Sequence, residues 1–164
     1  MEIRIPESAS DVGEEWLTHI LRESGYLSKD NSVVSVERDS HGAGLGYLSE
    51  IERIRISYLR EEPDAPGVVI AKFPTSSEKS RALATLFDSY SREVLFYKEL
   101  ASSVEVAIPV CFWADIAPET FSERLTGGIV KLLPEKMIVG LLDKLLSGAG
   151  TSSRRSGLLL EDLS

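Results

Sequence analysis

Three glycines at alternate positions, Gly42, Gly44 and Gly46, precede a single lysine, Lys72, set in the apolar run Val68-Val69-Ile70-Ala71-Lys72-Phe73. A glycine turn lacks the Cβ atoms that would keep phosphate oxygens away from backbone N–H groups, and a lysine on a neighbouring strand adds a positive point charge. Together they suggest a phosphate-binding unit. The plainer reading of the glycines alone is a hairpin with positive φ angles. Other phosphate motifs fit less well. A dinucleotide fingerprint wants glycine where Tyr47 stands and a helix afterwards, whereas Ile51 to Tyr58 reads as strand, and no Gly-Lys-Ser/Thr sequence occurs.

Lys72 is flanked by Ala71 and Phe73 at the end of its apolar run, where an ammonium is costly unless it is paired. The bland alternative is a lysine snorkelling from a strand end. Glu93 favours the first reading. At about 100° per residue it lies about 60° to one side of Tyr90, bordering the apolar stripe of its helix, where a carboxylate can meet a lysine on the underlying sheet. Otherwise Glu93 is an ordinary solvated residue, as Arg92, Lys98 and Glu99 are expected to be.

The elements that must position these groups follow from hydrophobic periodicity. Residues 11–24 read as an amphipathic helix, with Asp11 and Glu14 as a capping-box-like start, Val12, Trp16, Leu17, Ile20 and Leu21 on one face, and Gly25 just past the end. Val33 to Asp39 alternates as a strand, and the run from Leu48 to Tyr58 resumes one after the glycines. Pro63, Asp64, Pro66 and Gly67 make a turn, and Val68 to Phe73 has strand length. From Lys79 to Ala101, Leu83, Leu86, Phe87, Tyr90, Val94 and Tyr97 share a stripe that predicts one long helix. A short strand is expected over Val110 to Ile116 and a last one from Leu158. Between them, Pro134 opens an amphipathic helix near 135–147, and Gly148 to Ser153 reads as a linker. The expected class is α+β.

The chain has 164 residues, a formal net charge of −8 and one cysteine, Cys111. That charge repels a polyanionic backbone, and no basic stripe with interleaved aromatics offsets it, so nucleic acid is not an expected partner. No apolar run approaches the roughly 18 residues of a membrane span, and Met1 to Asp11 resembles neither a secretory signal nor a transit peptide. A single cysteine excludes an internal disulfide or a multi-cysteine zinc site and fits a reducing, cytoplasmic setting.

Strand, glycine loop, strand is the roof arrangement of protein-kinase-like enzymes. The ordered set Ser35-Val36-Glu37, Gly44 to Glu50, Ala71-Lys72-Phe73-Pro74, Tyr90 to Leu100 and Leu158 to Leu163 resembles the amino-terminal lobe of the aminoglycoside phosphotransferase superfamily, and within it the ecdysteroid-kinase-like and related bacterial branch. The resemblance covers residues 1–118 and 158–164. It implies an antiparallel sheet of about five strands with one main packed helix. It also implies a glycine loop over ATP with Mg²⁺, and Lys72 on the phosphates and paired to Glu93. The nucleotide-binding set it gives is Gly42, Gly44, Gly46, Tyr47, Lys72 and Glu93, with backbone around Glu161 and Leu163 as a hinge for adenine.

In such enzymes a helical second lobe supplies a base Asp in a His-x-Asp loop, an Asn and a metal-binding Asp. Here His19 is followed by Ile20-Leu21 and His41 by Gly42-Ala43, so no catalytic or metal-ligating residue is assigned. A further departure is residues 119–157, where the family joins two strands by a short hairpin. Three readings stay open: a tolerated surface insertion, a seam that covers apolar surface otherwise buried by the second lobe, and a shifted reading frame. The expectation is an ATP-binding lobe of a kinase for small-molecule hydroxyls, inactive alone and completed by a missing lobe or a full-length relative. The alternatives are a non-catalytic nucleotide-binding or regulatory module and an unrelated α+β binding domain.

Overall fold

Period-two alternation in the strands and period-3.6 alternation in the helices sort the apolar residues onto two sides of one sheet. The computed structural model describes residues 4–39, 48–119 and 154–164. Its strands are β1 (Val33–Asp39), β2 (Ser49–Tyr58), β3 (Val68–Pro74), β4 (Cys111–Ile116) and β5 (Ser156–Glu161). They form a five-stranded sheet in the order β1-β2-β3-β5-β4 with every pair antiparallel. With helices α1 (Glu14–Glu23), α2 (Glu78–Leu86) and α3 (Ser89–Leu95), the chain is α+β. Among the described residues no helix is long and apolar enough to cross a membrane. The glycine run with Tyr47 and the helix expected near 135–147 lie outside the described residues.

On one side, Leu17, Ile20 and Leu21 of α1 pack with Ile54, Ile56, Val69, Ala71, Phe73, Phe112 and Leu159, all buried. Burial of each larger side chain contributes about 1.5–3 kcal/mol, so this layer is the main core. On the other side Val94 of α3 packs with Leu158 and Leu160, alongside the partly buried Ile70, Tyr97 and Cys111. β5 therefore has both faces covered. That explains why Leu158, Leu159 and Leu160 are consecutive and buried, where a half-exposed strand would alternate.

Local chemistry sets the ends of α1. Asp11 does not cap it. Its carboxylate accepts the backbone N–H groups of Glu7 and Ser8 and holds the 3₁₀ turn Ala9–Asp11, while Gly13 is the N-cap. At the other end Gly25 has φ +81°, with Tyr26 N–H bonded to Leu21 O at 2.9 Å and Gly25 N–H to Arg22 O at 3.2 Å, the reciprocal pattern that needs glycine at the left-handed position.

The single helix expected over Lys79 to Ala101 is broken. Asp88 adopts φ 52°, ψ 33°, a left-handed conformation that aspartate tolerates better than most residues, between α2 and α3. The break resets the helical phase. Phe87, expected in the apolar stripe, is 62% exposed, whereas Ser91 and Val94 are buried. After α3 the chain widens into a π turn, Phe96–Leu100, and tightens into a 3₁₀ turn, Ala101–Ser103. The fourth strand starts at Cys111, with Val110 exposed. The fifth starts at Ser156, ahead of the expected Leu158, because β4 pairs Asp115 with Gly157 and Ile116 with Ser156.

Candidate functional site

The sheet places Lys72 on the same side as Ile70 and α3. Ile51 of β2 and Leu158 of β5 are its register partners. Alternation turns Ala71 and Phe73 into the α1 core and leaves the ammonium on the other side, so the apolar flanks of Lys72 do not surround its charge. Glu93 comes from α3, and its Oε1 lies 2.5 Å from Lys72 Nζ, with the two side chains 33% and 25% exposed. Such a pair holds the ammonium in one direction and leaves N–H donors for an anionic ligand.

Three contacts seat α3 over Lys72. Val94 packs on Leu158 and Leu160. Ser91 Oγ accepts a hydrogen bond from Arg154, whose Nε also binds Ala117 O at 2.7 Å, closing the two ends of the β4 to β5 connection. The Tyr90 hydroxyl donates to Leu48 O at 2.5 Å. Leu48 is the residue at which the described chain resumes after the glycine run. Burial raises the Tyr90 pKa, and its phenol stays protonated as a donor. A narrow crevice of about 10 Å³ lies here, lined by Ser49, Lys72, Pro74, Tyr90, Glu93 and Ser156.

The remaining expected residues are less concentrated. Gly42, Gly44, Gly46 and Tyr47 lie outside the described residues. Glu161 pairs with Val69, three residues from Lys72 and therefore roughly 10 Å along the strand. Its amide donates to Val110 O at 2.8 Å and its carboxylate accepts Val110 N–H at 3.0 Å, so this residue ties the entrance of β4 to the exit of β5. The Leu163 side chain is 67% exposed.

Sequence reasoning missed Arg53 and Asp162. Arg53 stands opposite Ile70 in the β2–β3 register, and its Nε lies 2.6 Å from Asp162 Oδ2, with Asp39 of β1 3.8 Å from its Nη1. Burial works against the Asp162 charge. Hydrogen bonds from Arg53 and Ser164 outweigh it and hold the carboxyl below its ordinary pKa. Arg53 alternates with the buried Ile54 and Ile56 and so reads from sequence as an ordinary outward-facing arginine, and its partner lies far along the chain.

A larger hollow of about 350 Å³ lies elsewhere, beside α1 and β1, bordered by Glu14, Glu15, His19 and Arg22. It contains none of the expected site residues and opens broadly to solvent. Among the described residues no group of three or more His, Cys, Asp or Glu could hold a metal ion. No protein-family model, curated protein or solved structure matches this chain. At the centre of the site stands an oriented ammonium on a mid-sheet strand, paired to a helix carboxylate.

Proposed function

We propose that this chain is the nucleotide-binding lobe of a phosphotransferase that acts on small-molecule hydroxyls. The observation that carries the reading is the Lys72–Glu93 ion pair, formed between the third strand and a helix on the same side of the sheet. A lysine on the third strand paired to a helix glutamate is the arrangement that orients nucleotide phosphates in kinases. The strand order and the resemblance of the segments around these residues support it further. Lys72 fits a phosphate oxygen, being charged, oriented and a quarter exposed. Mg²⁺ finds no ready cluster of ligands among the described residues, and no step is assigned to it. A cytoplasmic setting suits the single cysteine and the nucleotide.

Transfer itself needs a carboxylate to take the hydroxyl proton, and neither histidine of the sequence lies in a His-x-Asp motif. The same observation favours a second reading, a nucleotide-binding module that does no chemistry alone and regulates or completes another lobe.

Calorimetric titration of the full chain with the non-hydrolysable analogue AMP-PNP tests the nucleotide reading. Binding is expected to weaken about 10- to 100-fold in Lys72→Ala, the range for losing a charge-assisted hydrogen bond, and to a smaller extent in Glu93→Ala. Binding that ignores both substitutions points instead to an unrelated α+β binding domain. Phosphate transfer by the chain alone would overturn its assignment as an incomplete catalyst.

A further inference from the structure

The carbonyl of Leu48 is a junction of three elements. It precedes β2, accepts the N–H of Thr75 at the exit of β3 at 3.4 Å, and accepts the hydroxyl of Tyr90 from the first turn of α3 at 2.5 Å. Tyr90 and Glu93 are three residues apart on α3, so they share a face, and both line the crevice beside Lys72. The phenol is half-buried, and a half-buried phenol needs a partner. Here it takes the backbone carbonyl of Leu48, 42 residues away in sequence. α3 itself is short, bounded by the left-handed Asp88 and by the π turn Phe96–Leu100. Few helical hydrogen bonds therefore resist its displacement as a unit, and its seat depends on the contacts of Tyr90, Ser91, Glu93 and Val94.

We propose that Tyr90 is a positioning residue that couples phosphate occupancy beside Lys72 to the seat of Glu93. A displacement of the Leu48 backbone is transmitted through the phenol to α3, one turn from the carboxylate that orients the ammonium. Ser49, the residue after Leu48, lines the same crevice as Lys72, so a ligand held there settles the Leu48 backbone and with it the ion pair, and an ordered ion pair favours the ligand in return. This rests on the nucleotide reading above and adds a regulatory contact to it.

Tyr90→Phe keeps the ring and its packing and removes only the hydroxyl. The comparison uses the full chain, AMP-PNP and adenosine as probes, and amide hydrogen exchange over Arg92 to Tyr97. In the unmodified chain AMP-PNP is expected to slow exchange across these amides. In Tyr90→Phe its affinity is expected to fall about three- to ten-fold, the range for one hydrogen bond, with adenosine affinity unchanged and the slowing of exchange lost. A purely structural role would lower both affinities together and leave ligand-induced slowing in place, which would overturn the proposal. So would full AMP-PNP affinity with normal slowing in Tyr90→Phe while Lys72→Ala weakens binding, a result that sinks the coupling and spares the nucleotide reading. AMP-PNP binding that is absent, or indifferent to Lys72→Ala, sinks both.

Discussion

Arg53 and Asp162 are joined across the width of a strand: the guanidinium leaves β2 opposite Ile70 of β3 and meets, at 2.6 Å, a carboxylate that follows β5. The bond pins the backbone after β5 to the side of the sheet that carries Lys72. The two side chains are 26% and 10% exposed, so the pair is intermediate between a surface and a buried bridge. Asp162→Asn or Arg53→Met is expected to destabilise the chain by about 1 kcal/mol, with the double variant losing less than the sum. Urea denaturation of the four proteins checks this, and strict additivity would mean that the pair contributes nothing as a pair.

Two glycines should respond differently to alanine. A Cβ at Gly157 would lie 2.5 Å from Phe73 Cε1 and 2.9 Å from Trp113 Cζ3, both rings being held in an aromatic cluster with Trp16. Gly157→Ala is expected to cost about 1–3 kcal/mol by overpacking. Gly25 has open space around it but φ +81°, so Gly25→Ala should cost about 1 kcal/mol through backbone strain alone. Truncating Phe73 to leucine should relieve the first substitution and leave the second unchanged, as read from thermal melts.

Glu62 makes stability depend on pH. Hydrogen bonds from Asn31 first and Ser28 second hold its carboxyl below the ordinary glutamate pKa, and the Asn31 side chain that it binds is buried. A carboxyl with a depressed folded-state pKa contributes stability above its unfolded pKa and loses it as pH falls through the folded value. Chemical denaturation from pH 7 down to pH 3 should therefore show a loss that Glu62→Gln reduces. An unchanged acid limb in that variant would assign the loss to other carboxyls.

Cys111 should be a slow thiol. Burial pushes its pKa up to about 11, against a smaller lowering by the Trp113 backbone. Thiolate is the reactive form, so labelling with a disulfide reagent at pH 8 is expected to be at least ten-fold slower in the folded chain than in urea. Equal rates would mean that the second hydrophobic layer, around Val94, opens readily.

Much of this fold was legible in local pattern. The strands at Val33–Asp39, Ser49–Tyr58 and Val68–Pro74 follow from alternation and turn residues, and Gly25 stands where a helix must stop. Lys72 and Glu93 could be paired on paper because strand and helix periodicities fix which way each points. Less was legible where one residue overrides a period. Asp88 breaks a continuous stripe with a single backbone rotation, and Asp11 spends its carboxylate on Glu7 and Ser8 when spacing suggested a helix cap. Tyr90 with Leu48, and Arg53 with Asp162, are contacts between distant segments of sequence. No window along the chain contains both partners, so only the fold could bring them together.

The position of β5 has a consequence for assembly. It lies between β3 and β4 and is the sole strand joining them among the described residues, yet it comes last in sequence. Until that segment arrives, β4 has no neighbour to pair with and β3 presents an open edge of unbonded amides and carbonyls. Closing the sheet thus waits on its most distant contact, the kind that slows a chain's search for its native state and leaves a sticky intermediate while it lasts.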